Sequence, residues 1–225
     1  MHESSKTNGI KSTTQKSQLE RLNQWVEIIS AVLISLATVA SAWCAYQSTL
    51  WGGEETISYN SANAARTESV RMSNQALQLT TIDVNMFTEF AAAYSSGDEF
   101  LFDFLMERFR PEMKVAVEAW IETQPLQNPD APTSPFEMVE YQSAAQEESD
   151  RLLEEVSFHL EEARRNDARA DNYVLLTVIF ASVLFFGGMS SEFKSVKIRI
   201  GLISFATLTF IITIFIVLTF PTLWG

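Results

Sequence analysis

The chain reads as an all-α integral membrane protein. It has three transmembrane helices and, between spans 1 and 2, a long antiparallel helical hairpin or three-helix extramembrane bundle. Three features lead there. Stretches 28–46, 172–191 and 200–225 contain no charged residue, and they are 19, 20 and 26 residues long. A helix crosses a hydrocarbon core of about 30 Å with about 20 mostly apolar residues. The region between the first two stretches is strongly acidic and contains few Gly or Pro residues.

Segments 1–24 are expected to be a flexible tail and 25–47 the first span. Ala40-Ser41-Ala42 fits a signal-peptidase pattern, but bulky Trp43 would follow the cut and the lead-in is long, so the span is expected to be retained. Ala37, Ser41 and Ala45 recur every four residues, a row that lets another helix approach closely. Ala31 and Ser35 add a second such pair. Cys44 is expected to be inert within the membrane. Residues 48–172 form the acidic helical domain, 173–191 the second span, 192–199 a short basic loop and 200–221 the third span. The third is the most lipid-like and ends at Pro221, where a helix can stop without loss. Trp25, Trp43, Tyr46, Trp51, Tyr173 and Trp224 fall near the span ends, where amphipathic rings favour the headgroup zone.

Within 48–172, Gly52-Gly53 is expected to bend the chain. A long helix then follows from Glu54 to Tyr94, with Met72, Ala76, Leu79, Met86, Phe90 and Ala93 on one face. Ser96 and Glu99 have capping-box spacing and start a new helix. That helix carries Phe100, Leu101, Phe104, Leu105 and Phe109. Pro111 kinks or restarts it, and it ends near Thr123. Three prolines stiffen 125–134. Ser134-Pro135-Phe136-Glu137 reads as a helix start, with N-cap, N1 proline and N3 acid. From there no breaker occurs until Gly187, and Leu153, Val156, Leu160, Ala163, Ala170 and Val174 mark a continuous face.

The whole chain has 16 Lys and Arg against 28 Asp and Glu, a net charge of −12. Divided by region, the tail and the 192–199 loop are slightly basic, whereas 47–172 holds 9 basic and 24 acidic residues. Short basic loops stay in the cytoplasm. The N-terminus and the 192–199 loop are therefore expected on the cytoplasmic side of an inner (plasma) membrane, and the 48–172 domain in the periplasm or outside. Arg164, Arg165 and Arg169 run against this assignment.

Several residue groups look familiar together. Ala42-Trp43, Tyr46-Gln47-Ser48 and Trp51-Gly52-Gly53-Glu54 mark the exit of span 1. Arg108-Phe109-Arg110-Pro111-Glu112, Trp120, Asn128-Pro129-Asp130-Ala131-Pro132, Ser134-Pro135-Phe136, Met138 and Tyr141 follow. Ala170-Asp171-Asn172-Tyr173-Val174-Leu175 leads to Phe185-Phe186-Gly187. Over roughly 25–220 the chain resembles a family of uncharacterised three-span bacterial membrane proteins with a helical insert, a domain of unknown function. The resemblance implies that architecture and supplies no activity, cofactor or catalytic residue.

The composition narrows the chemistry. One Cys cannot form an internal disulfide. A strongly acidic chain is unsuited to nucleic acid, whose phosphates require a basic surface. No G-x-S-x-G, P-loop or H-E-x-x-H motif occurs, and no cofactor or enzymatic activity is expected. Glu155 and His159 have i,i+4 spacing, but a di-metal bundle uses Glu-x-x-His twice. The three uncharged stretches contain no Asp, Glu, Lys, Arg or His of the kind ion paths use. The acidic run around Glu147 reads as a solvated face. Arg108, Arg110, Trp120, Asn128 and Phe136 collect in the loop-rich part of the domain as a candidate contact site, as against an internal role in packing and ion pairing. The expected partners are the lipid bilayer and either further copies of the chain or another membrane protein. The expected function is a membrane-anchored scaffold or interaction module. An oligomeric channel or transporter subunit is one alternative, and a sensory domain needing a separate output partner is another.

Overall fold

The computed structural model describes residues 4–224, with side chains described for Arg21 and from Asn23 onward. Among the described residues every regular element is helical. These are α1 (Ser4–Ser96), α2 (Glu99–Met106), α3 (Pro111–Glu122), α4 (Ala144–Met189) and α5 (Val196–Thr219), with short 3-10 turns at Pro135–Glu137 and Ser190–Glu192. Helix α1 includes residues 4–24, which the sequence suggested as a flexible tail. It also continues through Gly52-Gly53 without the expected bend. Three helices, α1, α4 and α5, contain stretches long and apolar enough to cross a membrane. The chain divides into two compact units. One comprises Met1–Ile57 with Glu162–Gly225, and the other Ser58–Glu161.

The first unit contains the three apolar stretches. On α1 the inward positions are Val26, Ser30, Leu33, Ala37, Cys44, Gln47 and Trp51, with Ala40 partly buried. Their spacing of three and four keeps one stripe of the helix facing its neighbours. From α4 come Tyr173, Leu176, Phe180 and Val183, and from α5 Ala206 and Val217. The small row singled out in the sequence is split. Ala37 is buried, Ser41 half-buried and Ala45 exposed. A strict spacing of four drifts round an α-helix by about 40° per step, so the close-packing row is instead Ala37, Ala40 and Cys44. Large apolar side chains cover the outer faces, among them Val32, Val39, Val178 and Leu218. Water does not favour such a surface, and lipid does.

Polar side chains fasten both ends of this unit. At one end Ser30 Oγ donates to the Gly187 carbonyl at 2.8 Å, and a side chain added at Gly187 would meet Ile34 Cγ1 at 3.2 Å. Arg199 reaches Glu27 and Asn23, both at 3.3 Å. At the other end Gln47 brackets the Leu223 peptide unit, its amide donating to the carbonyl and accepting from the N–H, both at 2.9 Å. Trp51 Nε1 and the Tyr173 hydroxyl both donate to the Pro221 carbonyl, at 3.2 and 3.1 Å. The Arg169 guanidinium lies 4.4 Å over the Trp51 ring.

In the second unit the buried positions of α1 are Ser58, Ala62, Ala65, Ser69, Ala76, Asp83, Phe90 and Ala93, with Met72 and Met86 packed against them. The face read from Met72 to Ala93 is thus the inward face. Alanines and serines let α1 and α4 approach closely. Ser69 and Ser149 exchange hydrogen bonds, each hydroxyl donating to the other's carbonyl at 3.0 Å. Ala62 and Ala65 pack with Leu152 and Val156. On α4 the expected face is corrected at two positions. Leu153 and Val174 are exposed, and Leu152 and Tyr173 are buried in their place.

Helix α1 ends at Gly97, which has φ +73, a left-handed conformation that glycine adopts without steric cost. Asp98, rather than Ser96, caps α2 by accepting from the Leu101 N–H at 3.0 Å. Pro111 opens α3 at its first position, as expected of a restart. The Ser134 signal does not start α4. Pro135–Glu137 makes only one 3-10 turn, and α4 begins at Ala144. The Thr133 hydroxyl donates to the Glu137 carboxylate, and the ring of Phe136 packs edge-on against Phe87 and Tyr141. Tertiary packing of Phe136 thus overrides a sound local helix signal.

Candidate functional site

Where α2 and α3 meet α1, the second unit holds a buried ion pair beside a packed aromatic cluster. The pair centres on Asp83, whose side chain is fully buried. Arg110 donates to it twice, Nη2 to Oδ2 at 2.6 Å and Nε to Oδ1 at 3.1 Å. The Tyr141 hydroxyl lies 3.1 Å from Oδ2 and 3.3 Å from Thr80 Oγ1. Arg110 Nη1 also reaches Glu112 at 3.3 Å. The carboxylate of Asp83 holds the Arg110 guanidinium above its ordinary pKa, so it remains a cation. Burial pushes the Tyr141 phenol upward, the Thr80 hydrogen bond opposes the rise, and the adjacent Asp83 charge adds to it.

Above this pair lies an aromatic cluster of Phe90, Phe109 and Trp120 with Met113 and Val117. Trp120 is buried, and its Nε1 donates to the Pro132 carbonyl at 2.8 Å. Phe87 meets Trp120 edge-on at 5.1 Å. This contact ties α3 to α1, and the Pro132 bond ties the proline-rich loop to α3. The aromatic face read for α2 is divided. Leu105 and Phe109 pack inward, together with Phe102 from outside that face, while Phe100 is 81% exposed and stacks on Phe104.

The five candidate residues therefore separate into two groups. Arg110, Trp120 and Phe136 hold the fold together. Arg108 and Asn128 stay at the surface. Arg108 donates to the Phe104 carbonyl at 2.9 Å and lies 3.5 Å over the Phe104 ring. Asn128 makes a local turn, its Oδ1 accepting from the Asp130 N–H at 3.0 Å. Asp83 and Tyr141 were not chosen as site residues from the sequence. The signal for Asp83 was present, since an acid falls between Leu79 and Met86 on an otherwise apolar face.

A cavity of about 430 Å³ adjoins the end of α1, with the Tyr94 and Phe102 rings on one side and Asp98, Glu99 and Asp103 around it. Rings and carboxylates together suit an organic cation. In the first unit an apolar cleft of about 400 Å³ is lined by Val39, Trp43, Phe210 and Leu218. Its lining suits a lipid chain. Among the described residues no group of three or more His, Cys, Asp or Glu side chains converges to hold a metal ion. Glu155 and His159 are 3.8 Å apart.

No protein-family model, no curated protein and no solved structure matches this chain.

Proposed function

We propose that the chain is a membrane-anchored helical scaffold or interaction module, whose acidic unit presents a contact surface to other proteins. The observation that carries this reading is how the side chains of Ser58–Glu161 are used. Arg110, Asp83, Tyr141 and Trp120 make internal bonds, while Phe100, Leu126 and Val139 lie open at the surface. Buried polar networks specify a fold, and exposed apolar side chains offer contact area.

In this reading the α1 and α4 parts of that unit are the arms of an antiparallel hairpin. The Ser69–Ser149 exchange, and the pairing of Ala62 and Ala65 with Leu152 and Val156, support it. Helices α2 and α3 complete a bundle. The three apolar stretches cross an inner membrane, with the N-terminus and the 192–199 loop in the cytoplasm and 48–172 on the far side. Lys194 before α5, with Lys197 and Arg199 in its first turn, supports that direction.

The test is crosslinking in native membranes, with single cysteines introduced at Phe100 or Val139. Specific adducts with a protein partner support the module. An exclusively monomeric, partnerless chain overturns it. Labelling of the same cysteines by a membrane-impermeant thiol reagent tests the direction. Labelling in intact spheroplasts is expected, and labelling only after lysis overturns it.

A further inference from the structure

The exposed side of α1 in the acidic unit carries a pattern that the buried side does not explain. Thr67, Val70, Asn74, Leu77, Thr81, Val84 and Thr88 are all exposed, and successive members are three or four residues apart. Val70, Leu77 and Val84 are 56%, 66% and 43% exposed. At 100° per residue these seven positions fall within about 100° of arc, opposite the buried row of Ser69, Met72, Ala76 and Asp83. The 3.5-residue repeat of a coiled-coil seam is held here for three heptads, with apolar residues at one of its two positions and Thr or Asn at the other.

The threonines belong to it. Thr67, Thr81 and Thr88 donate their hydroxyls to the carbonyls of Asn63, Leu77 and Val84, four residues back, at 2.9, 2.8 and 2.8 Å. With the hydroxyl satisfied inside the helix, the methyl is the group left to pack. In heptad terms Val70, Leu77 and Val84 occupy d, and Thr67, Asn74, Thr81 and Thr88 occupy a. A single Asn at a is the residue that fixes register in a parallel pair.

We infer that this seam binds a second copy of the same chain, in parallel and in register, with Asn74 facing Asn74. Two observations select that occupant. The unit Ser58–Glu161 has 6 basic and 19 acidic residues, so two copies repel over most of their surface. Between Arg71 and Glu89, however, α1 has one charged residue, Asp83, and it is buried. From Asn74 to Thr88 the flanking positions Ser73, Gln78, Thr80 and Asn85 are uncharged, so this part of the seam is where two such units can meet without like-charge contact. Arg66 and Arg71 flank only its first turn, where Arg71 is paired with Glu68. The second observation is symmetry. Helix α1 also holds an apolar stretch long enough to span a membrane. Two copies inserted alike in one bilayer therefore present the seam in the same direction and at the same height. This step rests on the membrane-anchored reading above. The seam is only about 33 Å long, a small contact by the standard of stable complexes. Confinement in two dimensions supplies the effective concentration that makes such a contact sufficient.

The test uses the full chain in membranes, in a Cys44→Ser background, with single cysteines oxidised in place. Substitutions at Val70, Asn74, Leu77, Thr81 and Val84 are expected to give disulfide-linked dimers. Controls at the exposed Gln75, Glu89 and Glu154 are expected to give about tenfold less. A Leu77→Glu, Val84→Glu double variant is expected to lower crosslinking at Asn74→Cys about tenfold while its helical circular dichroism is unchanged. Equal crosslinking at seam and control positions overturns the proposal, as does indifference to the double glutamate. Adducts at the seam with a different protein also overturn it. Extraction of the membranes with alkaline carbonate separates the two readings. A chain that resists extraction but shows no seam crosslinks removes the pairing and leaves the anchor.

Discussion

Arg110 and Asp83 form a two-pronged ion pair at 2.6 and 3.1 Å around a carboxylate with no solvent exposure. They are 27 residues apart and join the start of α3 to the inward face of α1. Removing only the arginine leaves a buried, uncompensated charge. Arg110→Met is expected to cost about 3–5 kcal/mol in the unfolding of this unit. Asp83→Leu combined with Arg110→Met is expected to recover much of that loss, because an apolar pair needs no desolvation of ions. Denaturant titration of the full chain in detergent, followed by aromatic fluorescence, checks both. A double variant no more stable than Arg110→Met would refute the assignment.

Tyr141 makes the same locus sensitive to alkali. Burial raises its phenol above the ordinary value of 10.0. The folded state therefore holds this proton more tightly than the unfolded chain does. That contribution is complete below about pH 10 and is lost as pH rises through the folded-state value. Stability is expected to fall as pH rises above about 10, with a smaller fall in Tyr141→Phe. At neutral pH the same substitution removes one buried hydrogen bond, at a cost of about 1 kcal/mol. Urea unfolding across that range provides the comparison.

Ser69 and Ser149 join α1 to α4 in the acidic unit, sharing two 3.0 Å bonds. Ser69→Leu is expected to overpack the contact and destabilise it by about 1–3 kcal/mol. Ser69→Ala keeps the volume small and is expected to cost about 1 kcal/mol or less. The ratio of the two effects in thermal unfolding distinguishes a packing constraint from a hydrogen-bonding one.

Gly187 plays the corresponding part in the first unit. A Cβ there would lie 3.2 Å from Ile34 Cγ1, so that neighbour must give by a few tenths of an ångström. Gly187→Ala is expected to be tolerated, whereas Gly187→Leu is expected to separate α1 from α4 and to break the Ser30 bond to its carbonyl. Cysteine crosslinking between positions 30 and 190 reads that separation directly.

Gln47 is fully buried and brackets the Leu223 peptide unit. Gln47→Leu is expected to remove both bonds and release 221–224. Hydrogen exchange at the Leu223 amide should then become markedly faster, while the interior of α5 remains protected. Equal exchange in the two proteins would show that Trp51 and Tyr173 hold the segment without it.

The three apolar stretches, the restart at Pro111, the end of α5 before Pro221 and the inward face from Met72 to Ala93 were all legible in the amino acids. Each depends on local composition or on a periodicity carried by one helix. The helix start at Ser134 and the bend at Gly52-Gly53 were equally clear local signals and did not prevail. Phe136 turns to meet Phe87 and Tyr141, and the helix through the glycine pair continues unbroken. Among the candidate residues, sequence could pick out Arg110 and Trp120 but could not tell a contact surface from a core. That distinction required partners 27 and 12 residues away, at Asp83 and Pro132.

By itself the sequence determined which segments avoid water and where the charge lies, because hydropathy and charge belong to the residues whatever they touch. Only the tertiary structure decided which small residues pack inward, which arginine is structural, and which face of α1 is left uncovered. Those outcomes depend on distances between residues far apart in the chain. An exposed 3.5-residue seam and a buried one look alike along a helix until the neighbouring helix covers one of them.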